Sequence, residues 1–160
     1  MTDTQAGPAV TLDDVHAALM QELRLSAAEV EGFMAGVWEE YLGTLNVELT
    51  EYFAGLRPRG YRTGILSNSF VGAREREREK YGFDDITDVI AYSHEIGVAK
   101  PDPGAYLEVC RRLDVDPQEA VFLDDRDVAV AGAAEVGMAA VLFEDNVQAI
   151  ADIEKLLAAG

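Results

Sequence analysis

Beyond Gly64 the chain alternates short apolar runs with helical patterns, and few folds satisfy that alternation. Gly64-Ile-Leu-Ser-Asn, Asp88-Val-Ile-Ala-Tyr, Ala120-Val-Phe-Leu-Asp and Ala139-Ala-Val-Leu-Phe each read as a brief strand. Between and after them, helical spacing spans about Val71–Tyr81, Pro103–Leu113, Val128–Val136 and Val147–Leu157. Strand-helix alternation of this kind predicts parallel strands joined by right-handed crossovers, an α/β doubly wound sheet of Rossmann-like type. Ligands of such sheets lie outside the carboxyl ends of the strands, so the polar residues there carry the function.

The front of the chain reads differently. Residues 1–10 have the composition of a loose tail, and Ala6–Val10 is a segment that can pair with an open sheet edge. Thr11 caps a first helix with Asp13 and Asp14 at its positive end. Ser26 and Glu29 form a capping-box pattern ahead of a second helix, whose stripe is Val30, Phe33, Met34, Val37, Trp38, Tyr41 and Leu42. Trp38, Tyr41 and Phe33 read as packing residues rather than a cofactor box, though in a covering helical segment such residues can also face substrate. A third helix carries Leu49, Tyr52, Phe53 and Leu56 and ends near Pro58 and Gly60. The expected division is a tail at 1–10, a helical segment at 11–45 and an α/β core at 46–160.

Charge limits the partners. A net charge of -17 disfavours nucleic acid and anionic membranes, because both need clustered Lys and Arg. It leaves room for a small phosphorylated molecule held by a local field. The Arg-Glu run from Arg74 to Lys80 reads as a solvated helix face with opposite charges as neighbours. Cys110 is the one cysteine, so no internal disulfide forms, which fits a cytoplasmic protein. No apolar run reaches membrane-spanning length, and the N-terminus shows no secretory pattern. His16 and His94 lack a clustered partner and read as structural.

The strand ends bring Ser67 and Asn68, Ser93 and His94, and Asp124 and Asp125 to one rim, with Lys100 in the turn Val98-Ala-Lys-Pro-Asp-Pro. A hydroxyl, an amide and an ammonium suit phosphate oxygens. A carboxylate pair suits a hard cation such as Mg²⁺.

In order and spacing these residues resemble the haloacid dehalogenase-like (HAD) hydrolases, from Gly60 to the C-terminus. Ile65-Leu-Ser-Asn-Ser is similar to the family's second motif, which implies a phosphate-binding role for Ser67 beside Asn68. Gly97-Val-Ala-Lys-Pro-Asp-Pro is similar to its third, which implies that Lys100 offsets the charge of nucleophile and phosphate. Val121-Phe-Leu-Asp-Asp is similar to its fourth, which implies Mg²⁺ ligation by Asp124 and Asp125. Gly137-Met and the strand after it also match. Thr11 to about Leu42 resembles part of the family's helical cap.

The departure is at the front. Family members open with a buried strand ending in Asp-x-Asp, whose first Asp attacks phosphorus and whose second moves the proton. Here Thr2-Asp-Thr has no apolar run ahead of it, and Thr11-Leu-Asp-Asp opens a helix. Asp125-Arg-Asp127 has the spacing but lies in the fourth motif. Ala129 stands where close relatives often carry Asn. The expectation is a phosphatase-type core that keeps its phosphate and metal motifs, holds Mg²⁺ weakly and has little or no turnover. A non-catalytic phosphate-binding or regulatory relative, or the truncated product of a phosphatase gene, is the alternative. The absent strand is central in the family's sheet. Its neighbours must meet directly, accept another segment or stay open, and a homodimer is one way to cover them.

Overall fold

The structure, a computed structural model, describes residues 9–160. Ala6–Pro8 of the expected edge-pairing tail lie outside the described residues. Three helices come first: α1 (Leu12–Leu23), α2 (Ala27–Leu42) and α3 (Val47–Leu56). The expected cap at Thr11 and the expected capping box at Ser26 both form, and the Thr11 cap is itself a capping box with Asp14. Asp14 Oδ2 accepts from the Thr11 N–H at 2.8 Å, and Glu29 Oε2 accepts from the Ser26 N–H at 2.8 Å. The α/β part follows as β1 (Gly64–Ser67), α4 (Ala73–Tyr81), α5 (Phe83–Ile86), β2 (Val89–Tyr92), α6 (Ser93–Ile96) and α7 (Pro103–Leu113). It continues with β3 (Val121–Asp124), α8 (Asp127–Glu135), β4 (Ala139–Leu142) and α9 (Asn146–Ala159). The two single-turn helices α5 and α6 carry no periodic signal, and the sequence reading passes over them.

The strands pair in parallel, as expected, but in two separate couples. β1 pairs with β2 in the register Ile65 to Ile90, and β3 pairs with β4 in the register Phe122 to Ala140. Among the described residues no strand joins β1 to β3. Of the three outcomes open to the sequence, direct pairing does not occur, and the inner edges of β1 and β3 are open within residues 9–160.

Helices join the two couples. α7 packs on β1 and β2, α8 packs on β3 and β4, and α7 also touches α8. Leu66, Ala91, Tyr106, Val109, Phe122 and Ala133 share one core there, with the Tyr106 ring edge-on to Phe122 at 5.3 Å. On the other face α9 covers β3 and β4 and meets α3. That contact is polar. Tyr52 donates to Glu154 at 2.8 Å and Arg59 to the same carboxylate at 2.7 Å.

A second core seats α2 on β1 and β2. Val30, Met34 and Trp38 from α2 meet Ala73, Ile90 and Tyr92, with Ile65 against them. Gly72 has φ +93°, and a Cβ there would lie 3.0 Å from Trp38, so glycine serves both the turn and the indole contact. Phe33, expected in the packed stripe, is instead half exposed, because α2 turns only its Val30-Met34-Trp38 line inward. The Arg-Glu run of α4 is mostly solvated, as expected, but its partners are not the expected ones. Its charges reach other elements rather than helix neighbours: Arg74 bonds Glu95 at 2.7 Å, Arg78 bonds Asp84 at 2.7 Å, and Arg76 lies over the Trp38 ring.

Candidate functional site

All seven residues expected at the rim stand at strand ends, at the start of α6 just after β2 (Ser93 and His94), or in the turn after α6 (Lys100). Ser67 closes β1, Asp124 closes β3, and Asn68 and Asp125 follow them. The turn bearing Lys100 is fixed by Asn68. The Asn68 Nδ2 donates to the Lys100 carbonyl at 2.9 Å, and its Oδ1 accepts from the Lys100 N–H at 2.8 Å. One Nδ2 hydrogen stays free for a ligand. The Lys100–Pro101 peptide bond is cis.

Lys100 links the halves of the sheet. Its Nζ donates to Asp124 Oδ2 at 2.6 Å, with the two side chains only 13% and 8% exposed. The ammonium also lies 5.6 Å from the centre of the Phe122 ring. Asp124 Oδ1 accepts from the Arg126 N–H at 2.9 Å, so both carboxylate oxygens are engaged. Asp125 is exposed beside it.

The loop after β1 is held by the end of β2. Ser93 Oγ accepts from the Ser69 N–H at 2.8 Å and donates to the Ser69 carbonyl at 3.1 Å. Ser69 Oγ and His94 Nδ1 share a hydrogen bond of 2.9 Å. This clamp was not foreseen, since the strand-end position of Ser93 and His94 marks them without giving a partner. Above β1, the Tyr41 hydroxyl comes within 3.3 Å of Ser67 Oγ. Sequence spacing places Tyr41 on the apolar stripe and gives no sign of that contact. Burial pushes its phenol above the ordinary tyrosine range, with Ser67 as the opposing influence.

The rim therefore offers hydroxyls, an amide hydrogen and one ammonium already matched by a carboxylate. As a cation site it is sparse. Among the described residues no three His, Cys, Asp or Glu side chains gather as metal ligands. Mg²⁺ requires near-octahedral oxygens, and two carboxylates, one of them committed to Lys100, do not make that cage. Among the described residues no carboxylate stands on a strand between β1 and β3, because no strand is there.

Comparison with known proteins bears on the family and the fold. A sequence model described as haloacid dehalogenase-like hydrolase matches residues 12–137. The glyceraldehyde 3-phosphate phosphatase of Methanopyrus kandleri is 34% identical over 87 residues, covering 54% of this chain and 37% of that protein. The ribulose-1,5-bisphosphate 5-phosphatase of Halopiger xanaduensis is 30% identical over 112 residues, covering 68% of this chain and 47% of that protein. The chain thus spans less than half the length of these relatives. Among solved structures, a HAD-like hydrolase from Porphyromonas gingivalis superposes with a TM-score of 0.70 at 23% identity, covering 92% of this chain and 74% of that one. A HAD family enzyme from Bacteroides thetaiotaomicron, in complex with magnesium and inorganic phosphate, gives 0.69 at 19% identity, covering 84% and 70%. With the family model spanning most of its length and its strands in the parallel α/β arrangement of these structures, the chain belongs to the haloacid dehalogenase-like hydrolases.

Proposed function

We propose that this chain is a phosphatase-type HAD core that binds the phosphate group of a small phosphorylated molecule and, by itself, does not turn it over. The observation that carries the reading is Lys100, fixed by Asn68 and poised between the ends of β1 and β3. Ser67 and the free Asn68 hydrogen are the neutral donors. Lys100 is the charge, shared with Asp124. Turnover by the family's route needs a carboxylate in line with phosphorus, and the sequence supplies none in a strand-end context other than the Asp124-Asp125 pair. Residues 11–45 act as a cap-like segment on a core formed by 46–160. Asp124 and Asp125 would hold Mg²⁺, and only weakly, since two carboxylates supply few of the oxygens it requires.

Cys110 is a buried free thiol, and we place the protein in the cytoplasm on that account. Exposed Met20, Leu23 and Phe33, together with the open strand edges, favour a homodimer. A monomeric mass by light scattering at tens of micromolar would defeat that assignment.

Thermal melts test the phosphate reading, since a ligand that binds only the folded state raises its melting temperature. Phosphate on the order of tens of millimolar should raise the midpoint of the wild type and leave that of Lys100→Ala unmoved. Equal midpoints with and without phosphate in the wild type would sink the reading.

A further inference from the structure

We infer that Tyr41 of α2 is a direct ligand of the phosphate group, donating its phenolic hydrogen to the same oxygen as Ser67. This rests on the reading of the rim as a phosphate site and adds a ligand from outside the α/β core. Tyr41 OH and Ser67 Oγ lie 3.3 Å apart and have no closer hydrogen-bond partner among the described residues, while the Ser69 hydroxyl and the Glu77 carboxylate lie near enough to act on the Tyr41 phenol. A settled O–H···O bond is about 2.7–2.8 Å long, so this pair is loose. Two donors at that separation can instead each reach one shared oxygen at about 2.7 Å.

The ring is held for this purpose. Tyr41 packs edge-on to Phe70 at 5.1 Å and to Trp38 at 5.8 Å, while Trp38 stacks on Phe70 at 4.6 Å. Trp38 is buried in the core between α2 and β2, so the ring's support is rigid. Burial disfavours the phenolate, which keeps Tyr41 a donor at neutral pH.

Charge gives the reason a second neutral donor matters. The Lys100 ammonium is matched by Asp124, Asp125 adds a negative charge beside it, and the Glu77 carboxylate acts on the Tyr41 phenol. An anion at this rim gains little net attraction and must be held by hydrogen bonds. A tetrahedral oxyanion such as phosphate presents several acceptor oxygens, which suits converging hydroxyls.

The experiment is a titration with inorganic phosphate, followed by calorimetry and by tyrosine difference absorbance. The proteins are the wild type, Tyr41→Phe, Ser67→Ala and, as a control on the exposed face of α2, Ala35→Ser. Tyr41→Phe keeps the ring and its packing. It should bind phosphate roughly fivefold more weakly, the effect of one neutral hydrogen bond. It should also lose the phosphate-induced tyrosine signal, which a purely structural role would not produce, while Ala35→Ser titrates as the wild type does. If Tyr41→Phe binds like the wild type while Ser67→Ala is weakened, the inference fails and the phosphate site stands. If phosphate binds the wild type but neither variant differs, the anion lies elsewhere and both fail. No phosphate response in the wild type also overturns both.

Discussion

Replacing Lys100 by methionine leaves the stem volume and removes the charge that joins the two halves of the sheet. At the observed 2.6 Å the Coulomb attraction to Asp124 is about 6 kcal/mol for an effective dielectric of about 20. Desolvating two side chains that are 13% and 8% exposed costs several kcal/mol per ion, so the pair as a whole is near neutral in net stability. Breaking it is a different matter. Asp124 would remain a nearly buried carboxylate with only the Arg126 N–H as partner. The expected loss is about 3 kcal/mol, the low end for such a deletion because that one hydrogen bond survives. The double variant Lys100→Met/Asp124→Leu removes the stranded charge and should return to within about 1 kcal/mol of the wild type. Urea unfolding near neutral pH, read by circular dichroism, measures both. A single-variant loss under about 1 kcal/mol would mean the pair behaves as a solvated one. A double variant no more stable than the single would mean that the bridge itself, not the unpaired charge, sets the cost.

Two further outcomes follow from the packing and the charges. Gly132→Ala in α8 would normally favour a helix, but its Cβ would meet the Pro101 carbonyl and the Tyr106 hydroxyl at 2.8 Å each, so we expect a loss of about 1–3 kcal/mol; a neutral or raised melting temperature would contradict the contact. In acid, Glu95 is held below the ordinary glutamate range by its bond to Arg74, and Asp88 below the aspartate range by the Thr63 N–H and Arg57. A depressed folded pKa gives stability that is present above the ordinary carboxylate range, about pH 4, and is lost as pH falls through the folded value. The urea midpoint of Glu95→Gln should therefore fall less steeply in acid than that of the wild type, and parallel curves would count against the pair.

Much of this fold is legible in the sequence because local signals and burial agree. The capping patterns at Thr11 and Ser26 fix two helix starts, and the strand-helix alternation fixes the parallel class. What escapes the sequence depends on tertiary contact. The destinations of Arg74 and Arg76 lie on other elements, and Phe33 turns outward because α2 meets its neighbours along a narrow line. The rim residues are legible one by one, since strand ends in such sheets carry function. Their linkage is not. Asn68 clamping the Lys100 backbone, Ser93 holding Ser69 and Tyr41 descending on Ser67 all join positions at least 24 residues apart.

The central claim is a phosphate rim without a working nucleophile in this chain, and hydrolysis of p-nitrophenyl phosphate tests it most directly. The purified chain with Mg²⁺ should release p-nitrophenol no faster than a preparation-matched blank, and acid quench should trap no aspartyl-phosphate, because losing a covalent nucleophile costs several orders of magnitude in rate. Turnover that disappears in Asp124→Asn and also in Lys100→Ala would contradict the claim, for it would show that a carboxylate of the rim, or a water it holds, performs the attack.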